Sequence, residues 1–448
     1  MCESHDHTGH HPAPAPDLRE RLSRRGVLGA ATGGLLVAAA QGLSLPSAAA
    51  SPARPATGAL RASRITSGTT LVHADMHNHT LMSDGDGDPE EAFASMRSAG
   101  LDVAALTDHA TVSDNLLGDA LAGLLPPEYR QFGGLTRADW ARTGRLADAA
   151  DAPGAFTAIR GFEWSEPLLG HVNVWFSQEY TDVLEAKTMR TFYAWLRRQP
   201  DGYLGHGLFD GGADGIAGFN HPGREALRFA DFAYDVRLRD RMVSMEIFNR
   251  RDDYLFEGWG EGKRSPLVAC LGKGWRTGLT GVTDEHGTDW GHPEGKGRTG
   301  MWVTEHSRAG VREAMQARRF FATRSSGVRL DATMTIDGST HRMGGVAPTA
   351  GGTARFTVDF AGGEEWEGRR LHVQVLRPGD RAPEVVDVHP FTVGGVVRLD
   401  VPLHRDQGSW VVLRIGDPEA ANGTPGPEGH ACNDFGVAYT SPWWLDPA

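Results

Sequence analysis

The feature that most constrains the fold of this chain is an alternation of short apolar runs with helical stretches between residues 71 and 325. The apolar, β-like runs cover 71–80, 102–110, 156–165, 171–177, 215–222, 243–249 and 277–286. Helices are predicted between and after them at 89–100, 188–199 and 308–320. This alternation predicts parallel βα units, as in α/β barrels. In such barrels the chemistry lies where strands end and loops begin.

The pattern changes in residues 328–448. Alternating apolar and polar positions recur there, punctuated by Gly, Pro and Asp, and no helical period is present. This pattern predicts a second, all-β domain with the architecture of a β-sandwich. Its aromatic residues, such as Trp410, Trp443 and Trp444, are expected in the core. The sandwich could bind a glycan, but capping the barrel is the simpler expectation.

The first fifty residues have the layout of a signal peptide. A charged segment precedes a Gly- and Ala-rich apolar run, and small residues follow up to Ala50. The pair Arg24-Arg25 resembles a bacterial twin-arginine signal, which makes the twin-arginine translocation machinery an expected partner. A membrane anchor is the alternative, but the apolar run is short for a bilayer span. We therefore expect a signal peptide over 1–50, cleaved near Ala50, a linker over 51–70, and a secreted or cell-envelope protein without a stable membrane anchor.

The composition narrows the kinds of site that the chain can contain. The chain of 448 residues has only 3 Cys, which disfavours a disulfide scaffold and a thiolate zinc cluster. Its formal net charge of −12 argues against binding to a nucleic-acid polymer, since phosphates are neutralised by Lys and Arg. The number of histidines, 19, is unusually high.

Histidines and carboxylates recur at the ends of the β-like runs. His77 and His79 stand two residues apart, and side chains at i and i+2 of a strand share one face. Asp284 and His286 repeat this spacing. The candidate metal ligands are His77, His79, Asp84, His109, Glu163, His171, His221, Asp284 and His286. Nitrogen and oxygen donors without Cys suit zinc, manganese or iron(II).

Each of these residues also has an ordinary structural interpretation. A lone buried His is more often a satisfied core residue than a ligand. Asp84 and Asp108 follow strands and could merely cap the next helix. Arg224 and Arg250 lie near motif ends, where they could bind phosphate or form structural ion pairs. The complete set, at the strand ends of one region, favours metal binding over coincidence.

The motifs DMHNHT, SDG, LTDHA, RGFEWS, GHVNVW, FNHPGR and TDEHG resemble those of the PHP (polymerase and histidinol phosphatase) family of metal-dependent hydrolases. They lie within residues 71–325. MEIFN, FATRS and the terminal AYTSPWW are similar to the carbaryl-hydrolase-like branch, in which a β-sandwich can follow. The resemblance implies an α/β fold: a distorted, TIM-barrel-like (βα)7 barrel with a trinuclear metal site, followed by a β-sandwich.

The resemblance also implies which residues hold two to three divalent ions. The first ion would be held by His77, His79, Glu163 and Asp284. Glu163 would bridge to a second ion held by His171 and His221. The third would be held by Asp84, His109 and His286; many relatives have His in place of Asp84. Asp108 would orient a ligating imidazole.

These observations predict an exported phosphoesterase that hydrolyses a phosphomonoester or a small phosphodiester with metal-activated water. Arg224 and Arg250 would bind the phosphate, and no G-x-S-x-G motif indicates serine catalysis. The same site could hydrolyse a carbamate or a carboxylic ester. A further alternative is a non-catalytic, metal-stabilised module that binds the cell envelope.

Overall fold

The apolar runs of the first region form strands that are buried almost throughout. The first, β1 (Thr70–Asp75), is exposed only at its first residue, as expected for a sheet covered on both faces. The computed structural model describes residues 60–112, 134–202, 210–291, 296–325 and 327–448. Residues Pro52–Ala448 form one compact unit. The predicted signal peptide lies outside the described residues.

Eleven strands of the first region follow one another along the chain. They are β1, β2 (Val103–Leu106), β3 (His109–Ala110), β4 (Thr157–Glu166), β5 (Gly170–Trp175), β6 (Ile216–Phe219), β7 (Met242–Asn249), β8 (Asp252–Asp253), β9 (Gly278–Val282), β10 (Arg298–Val303) and β11 (Phe320–Thr323) within the described residues. Hydrogen bonding orders seven of them as β1-β2-β4-β5-β6-β7-β9. The predicted α/β architecture with seven barrel strands is confirmed.

The alternation predicted parallel strands throughout, but the observed sheet is mixed. The pairs β1–β2, β2–β4, β6–β7 and β7–β9 are parallel, whereas β4–β5 and β5–β6 are antiparallel. The turn 167–169 joins β4 to β5, and so short a connection cannot carry the crossover that a parallel pair needs. This hairpin is the main distortion of the barrel.

Local signals start the helices. Within the described ranges they include α1 (Pro89–Ser98), α2 (Arg137–Ala150), α3 (Met189–Arg197), α4 (Pro266–Gly272) and α5 (Arg308–Gln316). Side-chain caps from Asp88, Thr188 and Ser307 begin α1, α3 and α5. The predicted helices are therefore confirmed, although the last one ends at Gln316 because β11 follows it. In the described ranges, no helix combines the length and apolar character that a bilayer crossing needs.

The loops after the first and last barrel strands are joined by backbone pairing. Asn78 and Glu285 form a parallel bridge, in which the His79 N–H donates to the Glu285 carbonyl at 2.9 Å. The Thr107 N–H donates to the Asn78 carbonyl at 2.9 Å. Three separate post-strand segments thus meet at one end of the barrel.

The strands of the C-terminal region form the predicted sandwich. They are β12 (Arg329–Ile336), β13 (Ser339–Arg342), β14 (Val346–Pro348), β15 (Gly351–Ala361), β16 (Arg370–Arg377), β17 (Glu384–Thr392), β18 (Val396–His404), β19 (Trp410–Ala421), β20 (Asp434–Thr440) and β21 (Trp443–Asp446). One sheet has the order β13-β12-β15-β18, and the other runs β17-β16-β19-β20. Phe356 and Leu413 are among the buried side chains of the core that they share. Trp410, Trp443 and Trp444 are buried.

The sandwich is joined to the barrel by main-chain pairing. Strand β11 pairs with β20, with Phe321 opposite Thr440 and Thr323 opposite Ala438. The residues before β1 also contact both regions: Arg61 pairs with Asp102 of the barrel, and Arg64 with Asp359 of the sandwich. The two regions are therefore continuous through a shared sheet.

Candidate metal centre

The predicted ligands converge at the end of the barrel where the post-strand loops meet. His77 and His79 follow β1, His109 lies in β3, and Glu163 and His171 lie within β4 and β5. His221 follows β6, and Asp284 and His286 follow β9. The Asn78–Glu285 bridge places the two i, i+2 pairs side by side.

The Glu163 carboxylate is the centre of the cluster. Glu163 is fully buried, and its oxygens face imidazole nitrogens from four other elements. The distances are 3.1 Å to His77 Nε2, 2.6 Å to His109 Nδ1, 3.3 Å to His171 Nδ1 and 3.4 Å to His221 Nε2. One carboxylate thus faces enough donors to bridge two cations, as the resemblance implied.

Asp284 supplies the second buried carboxylate. Its Oδ1 lies 3.5 Å from His77 Nε2 and 3.3 Å from His79 Nε2. The two Nε2 atoms are 3.0 Å apart. These imidazole and carboxylate donors all face a common point, which is the arrangement that a bound cation needs.

Asp84 and His286 form the solvent-facing end of the cluster. Asp84 Oδ1 lies 3.5 Å from His109 Nε2 and 3.4 Å from His286 Nε2. The Asp84 and His286 side chains are 26% and 27% exposed, whereas the other predicted ligands are buried. A small molecule would therefore reach the centre from this end.

Backbone strain is present at the site. His221, Arg250 and Asp284 have φ values of 24°, 51° and 49°, in the left-handed region that non-glycine residues rarely adopt. Such conformations cluster at functional sites, where the surrounding structure imposes them. In this protein they turn post-strand side chains back toward the cluster.

The electrostatics of the cluster favour cations. Burial lowers the pKa of His77, but the carboxylates of Glu163 and Asp284 outweigh it and raise that pKa well above its ordinary value. Burial raises the pKa of Glu163, but the imidazoles of His77 and His171 hold it well below its ordinary range. Burial, together with neighbouring imidazoles, keeps the pKa of His79 well below its ordinary value. The ionised carboxylates and the neutral His79 imidazole have the protonation states that metal ligands adopt, whereas His77 must release a proton to bind an ion.

The donor sets fit divalent ions. Four groups of His, Asp and Glu have ligand atoms within 4.8 Å of one another. They are His79–Asp84–His109–His286, His77–His79–Glu163, His109–Glu163–His171 and His171–His221–Glu225. The nitrogen and oxygen donors suit zinc, manganese or iron(II). All the predicted ligands lie in this cluster; their assignment to individual ions stays a prediction.

Two carboxylates and an amide of the site were not predicted. Glu246 Oε1 in β7 accepts from His77 Nδ1 at 2.8 Å, and its Oε2 accepts from the His221 N–H at 2.7 Å. Asn220 Nδ2 donates to Glu163 Oε1 at 2.6 Å. Glu225 belongs to the fourth donor group. A glutamate inside the apolar run 243–249 was the available signal for Glu246; Asn220 and Glu225 carried no signal beyond their proximity to His221.

Asp108 lies beside the cluster and anchors its loop. Its carboxylate accepts from the Thr80 N–H at 2.7 Å and from Ser83 Oγ at 2.7 Å. Burial raises its pKa. Asp108 thereby holds the segment that leads from the first His pair to Asp84. Glu246 makes an orienting contact of this kind with His77, and the orienting role predicted for Asp108 stays a prediction.

Both predicted arginines reach the centre. Arg224 Nη1 lies 3.1 Å from Asp284 Oδ2, and its Nη2 donates to Asn249 Oδ1 at 3.0 Å. Arg250 Nη2 lies 3.1 Å from His286 Nδ1 and has a half-exposed side chain. An open pocket of about 380 Å³ adjoins Arg250 and is lined by Arg250, Arg251, Asp252, Thr283, Asp284, Glu285, His286, Gly287 and Lys296.

No family model and no curated protein matches the chain. Solved structures similar to it include a two-domain protein from Bacteroides vulgatus containing a predicted PHP-like metal-dependent phosphoesterase; it is 16% identical, with 83% of this chain and 95% of that chain covered and a TM-score of 0.41. A proposed metal-dependent phosphoesterase from Bifidobacterium adolescentis is 15% identical over 54% and 95%, with a TM-score of 0.29. Endonuclease Q in complex with abasic duplex DNA is 13% identical over 55% and 57%, with a TM-score of 0.28.

The first of these neighbours carries the name of the family that the motifs resemble. At identities and TM-scores this low, the likenesses decide neither the fold nor the chemistry of this chain. Both rest on the positions of its own residues.

Proposed function

We propose that this chain is an exported, metal-dependent phosphoesterase of the PHP type that hydrolyses a phosphomonoester or a small phosphodiester. It would use two to three zinc, manganese or iron ions. One observation carries this proposal: imidazoles and carboxylates from separate strands and post-strand loops converge on Glu163 and Asp284, and the cluster opens to solvent beside Arg250.

When bound, divalent ions supply Lewis acidity and lower the pKa of water at the site. The protein residues hold the geometry. Glu246 accepts from His77 Nδ1 and thereby turns Nε2 toward the centre. Arg224, fixed between Asn249 and Asp284, restrains the Asp284 carboxylate.

The position of Arg250 favours a phosphoester over a carboxylic ester as the substrate. Its side chain is 47% exposed, and it borders both His286 and the open pocket. A guanidinium forms paired hydrogen bonds with phosphate oxygens and stabilises charge that develops on them. A carbamate or carboxylic ester offers this group less charge to bind.

A substrate panel on metal-analysed protein tests the proposal. It compares para-nitrophenyl phosphate and bis(para-nitrophenyl) phosphate with para-nitrophenyl acetate, a naphthyl carbamate and duplex DNA. We expect metal-dependent turnover of a phosphoester that stops with chelator and returns with Mn²⁺ or Zn²⁺. The matched variant Arg250→Lys should lose more activity on the phosphoester than on the acetate.

Other results would contradict the proposal. Faster turnover of the carbamate or acetate would assign the site to carboxyl chemistry, and turnover of DNA alone would replace the small-molecule substrate. No turnover by protein with its full complement of ions would favour a metal-stabilised binding module.

Export by the twin-arginine route is part of the same proposal and is supported by the Arg24-Arg25 pair before the apolar run. Replacing both residues with Lys should trap the precursor in the cytoplasm. The control replaces Arg19 and Arg21, which lie outside the pair. Unimpaired export of the Arg24→Lys/Arg25→Lys variant would contradict this route.

A further inference from the structure

The open pocket beside the metal centre has a β-hairpin turn as one of its walls. Strand β7 ends at Asn249, β8 begins at Asp252, and these two residues pair across the turn. Arg250 and Arg251 between them form what we call the Arg250 turn, and both line the pocket. A turn this tight needs a left-handed residue, and Arg250 supplies it with a φ of 51°. The shape of this wall therefore depends on what holds the turn in place.

The two residues of the Arg250 turn are held from different sides. The barrel holds the first, because the Arg250 N–H donates to the Val282 carbonyl at 3.0 Å and the Arg250 carbonyl accepts from the Gly297 N–H at 2.8 Å. The second is held by a side chain, since Arg324 Nη1 donates to the Arg251 carbonyl at 2.9 Å. Arg324 follows β11, the barrel strand that pairs with the sandwich. The second half of the turn is thus tied to the seam between the two regions.

The Arg324 guanidinium is buried and closely packed. Arg324 is only 4% exposed, and its Cζ lies 4.6 Å from the ring centre of Phe248 in β7 and 3.9 Å from that of Phe435 in β20. Its Nε and Nη2 both donate to the Gly436 carbonyl, at 3.1 and 2.7 Å. A planar guanidinium with several fixed partners keeps one orientation. Arg324 therefore connects β20 of the sandwich to the Arg250 turn.

We propose that Arg324 is a positioning residue for Arg250, and that the sandwich thereby takes part in substrate binding. By holding the Arg251 carbonyl, Arg324 fixes the turn and with it the direction in which the Arg250 side chain enters the pocket. Arg324 itself is not one of the described residues that line the pocket. The inference rests on the proposed function, in which Arg250 binds the substrate phosphate, and deepens it.

The first measurement is the kinetics of metal-loaded Arg324→Ala on para-nitrophenyl phosphate or its bis ester, whichever wild type hydrolyses faster. We expect KM to rise about tenfold and kcat to stay within about threefold, because a displaced phosphate ligand weakens substrate and transition state alike. The number of bound ions, counted by elemental mass spectrometry, should match wild type. Calorimetry with inorganic phosphate should show about tenfold weaker binding, without requiring turnover.

Arg318→Ala is the matched control. Arg318 precedes β11 as Arg324 follows it, and it is buried to a similar degree, at 7% exposed. Its guanidinium also donates to backbone carbonyls, those of Arg276 at 2.8 Å and Arg239 at 2.9 Å, near the other end of β7. Circular dichroism compares the folding of the two variants. Arg318→Ala should keep KM within about twofold of wild type, because it loosens the fold away from the pocket.

A double-mutant cycle separates positioning from a general loss of structure. If Arg324 acts through Arg250, adding Arg324→Ala to Arg250→Ala should lower kcat/KM by no more than about twofold, since the group that it positions is already gone. An equal loss in both backgrounds, or an equal rise of KM in Arg318→Ala, would overturn the proposal. Wild type that neither hydrolyses a phosphoester nor binds phosphate would instead refute the proposed function, so the two failures are distinguishable.

Discussion

Two clusters of buried charge in this protein differ in how their charges are balanced. The first, which we call the seam cluster, lies where the sandwich meets the barrel and consists of Asp253, Gln374, Arg414, Asp434 and Tyr439. Arg414 Nε donates to Tyr439 Oη at 2.8 Å, its Nη1 donates to Gln374 at 2.6 Å, and it also pairs with Asp434. Tyr439 Oη donates to Asp253 at 3.0 Å. In the seam cluster, each donor of Arg414 and Tyr439 named here therefore has an acceptor, and both Asp residues receive hydrogen bonds.

The metal centre has the opposite character. Glu163 faces four imidazoles that compete for shared protons, and Nε2 atoms of His77 and His79 approach to 3.0 Å. Buried atoms such as Glu225 Oε2 and His79 Nδ1 have no hydrogen-bond partner in the described part of the chain. The seam cluster is therefore complete as it stands, whereas the donors of the metal centre are arranged so that cations could complete them.

Hydrogen bonds also connect the seam cluster to the turn that carries Arg250 of the metal centre. Asp253 ends β8, directly after the turn that carries Arg250, and accepts from Tyr439 of the sandwich. Arg324 at the end of β11 donates both to the Arg251 carbonyl at 2.9 Å and to the Gly436 carbonyl at 2.7 Å. The sandwich thus holds the Arg250 turn in addition to covering the barrel.

The largest effect is expected from removing an anionic ligand. Asp284→Asn should lower kcat/KM by more than about 100-fold, the upper range for partners that touch a ligand only indirectly. The thermal unfolding midpoint of the metal-free protein should also fall, because Arg224 and the neighbouring imidazoles lose the carboxylate that pairs with them, so circular dichroism must show that the variant is folded at the assay temperature. The exposed control Asp289→Asn should behave as wild type. Turnover near the wild-type rate in Asp284→Asn would contradict the assignment.

A substitution in the seam cluster should change the free energy of unfolding rather than the number of bound ions. Arg414→Ala should lower the free energy of unfolding by about 3–5 kcal/mol, because Asp253 and Asp434 lose their buried cation. Denaturant unfolding measures this, and the number of bound ions should stay that of wild type. The matched control is Arg355→Ala, whose exposed pair with Asp400 should contribute almost nothing. A small change in Arg414→Ala would mean that the seam cluster is not needed for stability.

Glu246 belongs to the metal centre but contacts the predicted ligands His77 and His221 through hydrogen bonds. Its substitution therefore measures an indirect contribution to metal binding. Glu246→Gln should weaken metal binding by about 10- to 100-fold, because Gln orients His77 without the negative charge. Competition with a chelating dye measures the affinity. Asn249→Ala measures the effect of losing neighbouring hydrogen bonds without a change of charge, since Asn249 donates to Glu246 and accepts from Arg224. If Glu246→Gln and Asn249→Ala are equally affected, the charge of Glu246 is not required.

The smallest effect concerns His73, a buried histidine outside both clusters whose ring nitrogens have no hydrogen-bond partner among the residues that the structure describes. Burial lowers its pKa from 6.5 to about 4. The unfolded chain therefore binds the proton first, and stability falls as the pH drops from about 6.5 toward 4. Relative to His73→Leu, wild type should lose about 1 kcal/mol between pH 7 and pH 5.5. Denaturant unfolding at both pH values measures the difference; parallel curves would contradict it.

Local sequence patterns were sufficient to predict most of the donors. The pairs His77/His79 and Asp284/His286 are visible because i, i+2 spacing on an extended segment implies a common face. The α/β region and the sandwich were also readable, since strand and helix periods are properties of short windows. In the structure, the three predicted helices begin at side-chain caps such as Thr188.

The remaining features were decided by the tertiary structure. Glu246 and His77 are 169 residues apart, and nothing in either segment indicates that they meet. The antiparallel turn of β4 into β5 and the pairing of β11 with β20 depend likewise on chain reversals and contacts between distant segments. The sequence determines which side chains can bind a cation, because that follows from their chemistry. Only the fold determines how many of them share each ion, because that follows from distances between residues far apart in the chain.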